Sequence, residues 1–319
     1  MEEDSLKNPL PYLCHLPFYI YLLNSMQTKQ QLEQLLASAG VMPNKRLGQH
    51  FLIDLNLLRL LVDAAHIHSD DVVVEVGCGT GSLTEETAAR AGRVICVELD
   101  ATMVKIATRQ LASRENVKII YGDALENKNE LNKELVAELG KACEKFFGRT
   151  LLVANLPYNV AASVMLNLII GPTIADAMYV TVQKEVADRM VALPSHEEYG
   201  TLSIFMAATG TVKIFRKLGP PVFWPRPQVD SAMVQYERDK EKVGRILDIQ
   251  MLQEVVGLFM GHRRKMMRAC VKFAEGKLAE VHHWDDIFLR SFVEPHHRPE
   301  ELSAENYIAI ANLCHEALL

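Results

Sequence analysis

The chain has 319 residues, of which 49% are hydrophobic, enough for one sizeable α/β domain and a smaller companion. Its formal net charge of −6 argues against a protein that coats nucleic acid by bulk positive charge, so any RNA contact must come from local basic clusters. Its six scattered cysteines form no C-x-x-C pair, which indicates neither a zinc site nor a disulfide framework and fits a reducing cytoplasm.

The N-terminal region, residues 1–43, is predicted to be an extension ahead of the first domain. Residues 10–25 are apolar, but they are interrupted by prolines, lack a basic start and are too short to span a membrane. MQTKQQLEQLLASAG follows, and it predicts a helix that Thr28 caps and Gly40 ends. Because Met26 opens this helix, we expect it to be an alternative start of translation that leaves residues 1–25 untranslated.

From residue 71 the sequence alternates short β-branched runs with helical segments. The predicted strands are DVVVEVG, RVICVELD, VKIIYGDA, TLLVANLPY and AMYVTVQ, and VKIFRKL and SAMVQYE follow as two more. Such alternation is typical of βαβ units with a parallel, doubly wound sheet. We therefore predict an α/β domain over residues 44–240, with a charged insertion at 126–149, and a small helical C-terminal domain over 241–319.

Ligand-binding residues are expected where the first three strands end, because ligands of open α/β sheets bind at the carboxyl ends of strands. VEVGCGTGSLTE places Gly77, Gly79 and Gly81 after the first strand, where glycines permit a tight turn and close approach of a ligand to the backbone. Glu98 ends the second strand, where it can accept from ribose hydroxyls, and Asp123 ends the third, where it can accept from an adenine amine. Each acid alone also fits a solvated charge or a turn residue.

The fourth strand ends in NLPY, residues 155–158, which sets an amide, a proline and a phenol side by side. The exocyclic nitrogen of adenine is a poor nucleophile because its lone pair is delocalised into the ring. Two carbonyl groups that accept both amine hydrogens localise that lone pair; Asn155 offers one from its side chain and Leu156 one from its backbone, beside Pro157. Tyr158 offers an aromatic face for stacking. We predict a clamp for an amino-bearing planar ring that works by positioning, without a covalent intermediate or a metal ion; the alternative is an ordinary strand-to-turn Asn-x-Pro.

The glycine loop and the two acids resemble those of class I S-adenosylmethionine-dependent methyltransferases, and roughly residues 43–315 resemble the small-subunit branch of the ribosomal RNA adenine dimethyltransferases. The resemblance rests on motifs that occur in the family's order: NKRLGQHFLID, VEVGCGTGSLT, VELD, GDA, NLPYNV, QKEVADRM, YGTLS, PPVFWPRPQVDSAMV, FMGHRRK and RPEELSAENY. It implies a Rossmann-like class I methyltransferase domain with a small helical C-terminal domain.

The resemblance also implies roles for individual residues. Gln49, His50 and Leu52 match the segment that closes over the methionine end of the donor, although the family usually has Asn where this chain has His50. Phe223 matches the aromatic residue that covers one face of the flipped base, with Tyr158 on the other; packing between the domains is its alternative role. The implied donor-binding positions are Gln49, His50, Leu52, Gly77, Gly79, Gly81, Glu98, Asp123, Ala124 and Asn155, and the implied catalytic positions are Asn155, Leu156, Pro157, Tyr158 and Phe223.

The implied reaction is the transfer of methyl groups from S-adenosylmethionine to the exocyclic amines of two adjacent adenosines, each methylated twice, in a hairpin near the 3′ end of small-subunit RNA. The implied setting is a pre-ribosomal particle in the cytoplasm, away from membranes, with the enzyme as a monomer. Three alternatives are left. A dehydrogenase would want G-x-G-x-x-G and leaves NLPY unexplained. A non-catalytic ribosome-assembly or transcription factor could dispense with Asn155 and the glycine loop, and YGTLS and RPEELSAENY argue against a large-subunit RNA enzyme.

The predicted RNA contacts are Lys45, Arg46, Arg263, Arg264, Lys265 and Arg268. HRRKMMRACVK places the last four of these on about one and a half helical turns, which suits contacts with RNA phosphates. Exposed arginines on a helix are usually only solvated, but in an acidic chain a local cluster favours RNA. Two pairs of adjacent histidines, at 282–283 and 296–297, have neither helical ligand spacing nor a cysteine partner, so no metal site is predicted there.

Overall fold

A mainly parallel sheet forms the centre of the computed structural model, which describes residues 26–44 and 47–319. The strands are β1 (Phe51–Leu52), β2 (Val72–Val76), β3 (Arg93–Glu98), β4 (Val117–Tyr121), β5 (Leu125–Asn127), β6 (Glu130–Leu131), β7 (Thr150–Asn155), β8 (Ala177–Gln183), β9 (Gly210–Leu218), β10 (Phe223–Trp224) and β11 (Ser231–Arg238). Seven of them form the sheet, in the order β4–β3–β2–β7–β8–β11–β9. The first five are parallel, and β11 is antiparallel to both β8 and β9, so the predicted α/β class is confirmed.

Helices cover both faces of this sheet. They are α1 (Lys29–Ser38), α2 (Leu55–Ala64), α3 (Ser82–Ala88), α4 (Ala101–Gln110), α5 (Lys133–Cys143), α6 (Ala161–Ile170), α7 (Lys184–Val191), α8 (Thr201–Thr209), α9 (Lys240–Val243), α10 (Ile249–Gly261), α11 (Met267–Cys270), α12 (Trp284–Arg290) and α13 (Ala304–Ala317). Alternate residues of each strand point to opposite faces. Val73 and Leu151 therefore join the core with α2 and α3, whereas Val74 and Leu152 join the core with α5 and α6.

The segment predicted as an insertion, residues 126–149, has a structural role in the sheet. It begins with the small antiparallel pair β5–β6 and continues into α5, which is the crossover from β4 to the parallel strand β7. The apolar face of α5 carries Leu135 and Leu139, both fully buried in the core. The insertion prediction is therefore wrong for the helix, because a parallel pair of strands needs a crossover of this length. Only the hairpin is additional.

The chain after β11 is helical, as predicted. α10 and α13 pack on each other and on α8, and their buried residues belong to the same hydrophobic cluster as α5 and α6. The loop between α7 and α8 also bonds to the C-terminal region, since Tyr199 donates to the carbonyl of Leu302 at 2.7 Å. The helices beyond residue 240 thus share a core with the sheet domain in this structure.

The N-terminal helix α1 docks on the domain. Thr28 caps it, with Gln31 completing a capping box, and Gly40 follows it in the left-handed conformation, as predicted. Leu32 and Leu36 pack against residues of α4. Within residues 26–44 and 47–319, no helix combines the length and the apolar character needed to cross a membrane.

Candidate active site

A cleft of about 100 Å³ opens at the carboxyl ends of β2, β3, β4 and β7. The strand order turns back at this point, because β2 leads through α3 to β3 on one side while β7 pairs on its other side. Such a point is where open α/β sheets bind ligands. The cleft brings together eleven of the predicted site residues: Gln49, His50, Gly77, Gly79, Glu98, Asp123, Ala124, Asn155, Leu156, Pro157 and Tyr158.

The glycine loop packs closely against the other walls of the cleft. Gly77 and Gly79 both have positive φ, at 79° and 55°. A Cβ on Gly77 would lie 3.0 Å from Cγ of Pro157, and one on Gly79 would lie 2.7 Å from Cε1 of Phe51. Gly81 begins α3 and a Cβ there would meet Leu111, so this glycine is structural and does not line the cleft.

Glu98 is a buried carboxylate that shapes the loop as well as lining the cleft. Its Oε2 accepts a hydrogen bond from the amide of Gly79 at 2.8 Å, and its Oε1 accepts from the amide of Asp100 at 2.9 Å. Burial raises the pKa of this carboxyl, and the two amide donors oppose the rise. A carboxylate held in this way retains lone pairs for a hydroxyl in the cleft.

Asp123 combines the two roles that its position at the end of β4 suggested. Its Oδ1 accepts from the amide of Leu125 at 3.0 Å, as expected of a turn residue. Its backbone carbonyl accepts from Nδ2 of Asn132 at 2.9 Å, which ties it to the cap of α5. Asp123 and its neighbour Ala124 both line the cleft, so the turn presents a carboxylate there.

Asn155 ends β7 with its side-chain amide in a defined orientation. Its Nδ2 donates to the backbone carbonyl of His50 at 2.8 Å. Because a carbonyl can only accept, the nitrogen must face His50, and the side-chain oxygen Oδ1 occupies the opposite end of the amide. The next residue, Leu156, has its side chain in the core and its amide bonded to the carbonyl of Thr181 at 3.0 Å.

Tyr158 faces the ring of His50, which the sequence did not indicate. The two rings stack with centroids 5.4 Å apart and planes at 23°. The phenol oxygen of Tyr158 lies 3.1 Å from Oγ of Ser231, and burial raises the pKa of the phenol, so the ring is neutral. Nδ1 of His50 lies 2.7 Å from the carbonyl of Pro225, so Nδ1 carries the proton.

Phe223 and Leu52 lie behind the cleft, where their strands pair. They are directly opposite each other in the antiparallel pair of β1 and β10. Phe223 is only 3% exposed and does not line the cleft, so it cannot sandwich a base with Tyr158 in this arrangement; its packing role is the one realised. Leu52 lines a smaller adjoining cavity that shares Phe51 and Asn155 with the cleft.

Two further residues near the glycine loop were not found from the sequence. Glu75 is fully buried in β2, where burial raises its pKa to about 8 while a hydrogen bond from Oγ1 of Thr84 at 2.7 Å opposes the rise. An acid inside the apolar run VVVEV is a signal that could have identified it. Gln27 bonds to Thr80 on the glycine loop and accepts no such signal from sequence, because 53 residues separate the two.

The predicted basic cluster lies across a turn rather than on a helix. α10 ends at Gly261 and α11 begins at Met267, so the arginines at 263 and 264 fall between them. Arg263 is engaged within the protein: its Nε donates to Glu300 at 2.9 Å and its guanidinium also bonds the carbonyl of Glu197. The predicted RNA role of Arg263 is therefore not supported. The exposed members of the cluster are Arg264, Lys265 and Arg268, whereas Lys45 and Arg46 lie outside the described residues.

No group of three or more His, Cys, Asp or Glu side chains is placed to hold a metal ion in the part of the chain that the structure describes. What the site offers is a glycine cradle, two carboxylates, an oriented amide and two aromatic rings. These groups can bind a nucleoside by its ribose and base and can position an amine beside a second ligand.

Comparisons with known proteins agree with this site. Residues 41–314 match the family model described as ribosomal RNA adenine dimethylase. The Ribosomal RNA small subunit methyltransferase A of Clostridium perfringens (strain SM101 / Type A) is 35% identical over 269 residues, which are 84% of this chain and 90% of that protein. Among solved structures, a dimethyladenosine transferase from Plasmodium falciparum superposes with a TM-score of 0.62 at 20% identity, over 82% of this chain and 96% of that one. The 23S rRNA methyltransferase ErmE gives a TM-score of 0.55 at 20% identity, over 82% and 98%. At such identities the two structures establish the fold alone.

Proposed function

The chain belongs to the ribosomal RNA adenine dimethylase family, and from that premise we propose that it dimethylates two adjacent adenosines in a hairpin near the 3′ end of small-subunit RNA. The chain is an S-adenosylmethionine-dependent ribosomal RNA adenine dimethyltransferase. The curated relative from Clostridium perfringens is named for the small subunit, which supports the choice of RNA. The fold cannot decide it, because a large-subunit enzyme shares that fold.

The cleft residues fit the methyl donor. Gly77 and Gly79 leave open the space that side chains would fill, and the loop that they form lies directly before the N-terminus of α3. Glu98 and Asp123 present carboxylates from successive strand ends, suited to ribose hydroxyls and to an adenine amine. When bound, S-adenosylmethionine supplies a sulfonium, which is already an activated methyl group.

The acceptor side of the mechanism depends on Asn155. The bond to the carbonyl of His50 fixes the amide so that Oδ1 is available to accept a hydrogen from the target amine. The backbone carbonyl of Leu156 is the second proposed acceptor, and Pro157 holds the backbone of this turn. Accepting both hydrogens draws the nitrogen toward tetrahedral geometry and localises its lone pair. Tyr158 supplies the face on which the adenine stacks.

One observation carries this proposal: the oriented amide of Asn155 lies in the same cleft as the glycine cradle and the two carboxylates. The test is transfer of labelled methyl groups from S-adenosylmethionine to protein-free small-subunit RNA, with titration of the protein by S-adenosylmethionine and by NADH as a second measurement. We expect labelled dimethyladenosine and binding of the sulfonium compound alone. Binding of NADH alone would support the dehydrogenase, and donor binding without transfer would support the non-catalytic assembly factor.

We also propose that Arg264, Lys265 and Arg268 contact RNA phosphates. All three are exposed, and within residues 26–44 and 47–319 none of them has an ion pair. Lys265 lies over the ring of Phe273 at 5.3 Å, which adds an aromatic group to the basic surface. In the same proposal the protein acts as a monomer on a pre-ribosomal particle in the cytoplasm, as the resemblance implies.

A further inference from the structure

The C-terminal end of α12 places an aromatic residue where the backbone favours glycine. Phe292 has φ of +56°, in the left-handed region. Its amide donates to the carbonyl of Leu289 at 3.2 Å, and the amide of Val293 donates to the carbonyl of Phe288 at 2.9 Å. This pair of bonds is the Schellman arrangement, in which glycine usually takes the left-handed position because it has no Cβ. The turn itself therefore gives no reason for a phenylalanine.

Packing gives no reason for it either. The side chain of Phe292 is 91% exposed, and that of Leu289, one turn earlier, is 75% exposed. Folding removes almost none of this apolar surface from water, so it contributes nothing to the core. A strained backbone that holds a large ring in solvent is more typical of a binding residue than of a structural one.

The surroundings of the ring indicate the chemistry of its partner. The loop that follows Phe292 is joined to the basic cluster, since the amide of Arg268 donates to the carbonyl of Pro295 at 3.1 Å and that of Met267 donates to the carbonyl of His297 at 2.9 Å. The exposed cations of that cluster, Arg264, Lys265 and Arg268, have no ion pair within the described residues. Acidic groups are also near: Glu294 is on the loop, and Asp286 pairs with Arg290 on α12. The cations without partners are the charges left for a ligand.

We propose that Phe292, flanked by Leu289, stacks on an unpaired base of the RNA whose phosphates contact the basic cluster. A phosphate backbone complements the cations, and a π-face of any base complements the ring. Proteins read RNA mainly at such unstacked bases in loops and bulges. The proposal rests on the function given above and adds a second RNA contact, separate from the cleft.

The test uses two substitutions at this position. Phe292→Gly removes the ring and also relieves the left-handed strain, so any loss of RNA binding cannot be ascribed to unfolding. Phe292→Trp keeps an aromatic face. Phe147→Ala is the control, because Phe147 is likewise 82% exposed and lies in the loop between α5 and β7.

Affinity for protein-free small-subunit RNA is measured at one fixed salt concentration, together with Tm. We expect Phe292→Gly to weaken binding about tenfold while Tm rises by about 2 °C, and Phe292→Trp and Phe147→Ala to bind as the parent does. At saturating RNA the Gly variant should keep its kcat for methyl transfer, so that failure of the proposed function, seen as no transfer by the parent protein, is distinguishable.

Unchanged binding of the Gly variant to protein-free RNA would overturn the proposal. That includes the case in which the variant is weakened only toward small-subunit particles that contain ribosomal proteins, which would assign Phe292 to a protein contact. A Gly variant that loses RNA binding and Tm together would also overturn it, because the ring would then be structural.

Discussion

The side-chain amide of Asn155 donates to the backbone carbonyl of His50 at 2.8 Å, across 105 residues of sequence. The bond joins the end of β7 to the segment just before β1, and it leaves the amide oxygen for the substrate. Because the acceptor is a backbone atom, the orientation of Asn155 does not depend on which side chain stands at position 50. This explains how the chain can carry His where related sequences usually have Asn.

The first prediction concerns that position. His50→Asn should change kcat/KM for methyl transfer by no more than about fivefold, since the carbonyl that orients Asn155 is unaltered and only the ring against Tyr158 is lost. Steady-state kinetics with small-subunit RNA would check this. A loss comparable to that of a substitution at Asn155 itself would mean that the imidazole takes part in the reaction.

The glycine cradle gives a second prediction with a matched control. Gly79→Ala should lower the affinity for S-adenosylmethionine more than tenfold, because the new Cβ would lie 2.7 Å from Phe51 in the wall of the site. Gly40 also has positive φ, but a Cβ there would meet nothing within 4 Å. Gly40→Ala should therefore cost about 1 kcal/mol of stability through backbone strain and leave donor affinity unchanged. Titration calorimetry and thermal unfolding separate the two effects; equal donor affinity for both variants would contradict the prediction.

Glu75 gives a prediction about pH. Burial raises its pKa from the ordinary 4.5 to about 8 in the folded protein, so the folded state holds a proton that the unfolded state has released. Its contribution to stability is therefore fully present below pH 4.5 and is lost as pH rises through about 8. Glu75→Gln keeps an acceptor for Thr84 and does not titrate.

Between pH 5 and pH 8 the parent protein should lose roughly a few kcal/mol relative to Glu75→Gln, as measured by urea unfolding at each pH. The variant should be the more stable of the two at pH 8. A constant difference across this range would show that Glu75 has the same proton occupancy in both states.

The basic cluster gives a prediction that separates a structural arginine from a binding one. Arg263→Ala should lower the free energy of unfolding by about 1 kcal/mol through loss of its half-exposed ion pair with Glu300, with little effect on RNA affinity. Arg264→Ala should do the reverse, and Arg264→Glu with Arg268→Glu should weaken RNA binding further without changing donor affinity. Filter binding at two salt concentrations and urea unfolding would check both. Stronger loss of RNA binding from Arg263→Ala than from Arg264→Ala would contradict the assignment.

Much of the site could be predicted because it depends on local rules. Glycines and acids at the ends of parallel strands meet at one sheet edge whatever the loops do, so Gly77, Glu98, Asp123 and Asn155 were placed correctly in one cleft. The turn chemistry of NLPY likewise needed no knowledge of distant residues.

What could not be predicted depends on pairing between distant segments. The two-residue pairing of β1 with β10 buries Phe223 and leaves His50 facing Tyr158, and neither strand is long enough to show a periodic pattern. The partner of Arg263 is 37 residues away and lies on another turn. The helix α5 was read as an insertion because its charged exposed face dominates its composition, whereas the buried leucines that identify a crossover are few.

The most direct test of the account is the methylation of small-subunit RNA in cells whose only copy of the protein carries Asn155→Ala. Asn129→Ala, at the exposed turn between β5 and β6, serves as the matched control. We expect primer extension to show dimethyladenosine with the control and at least a hundredfold less with Asn155→Ala, because the target amine would lose its oriented acceptor. Dimethylation at the control level in the Asn155→Ala strain would contradict the proposed mechanism.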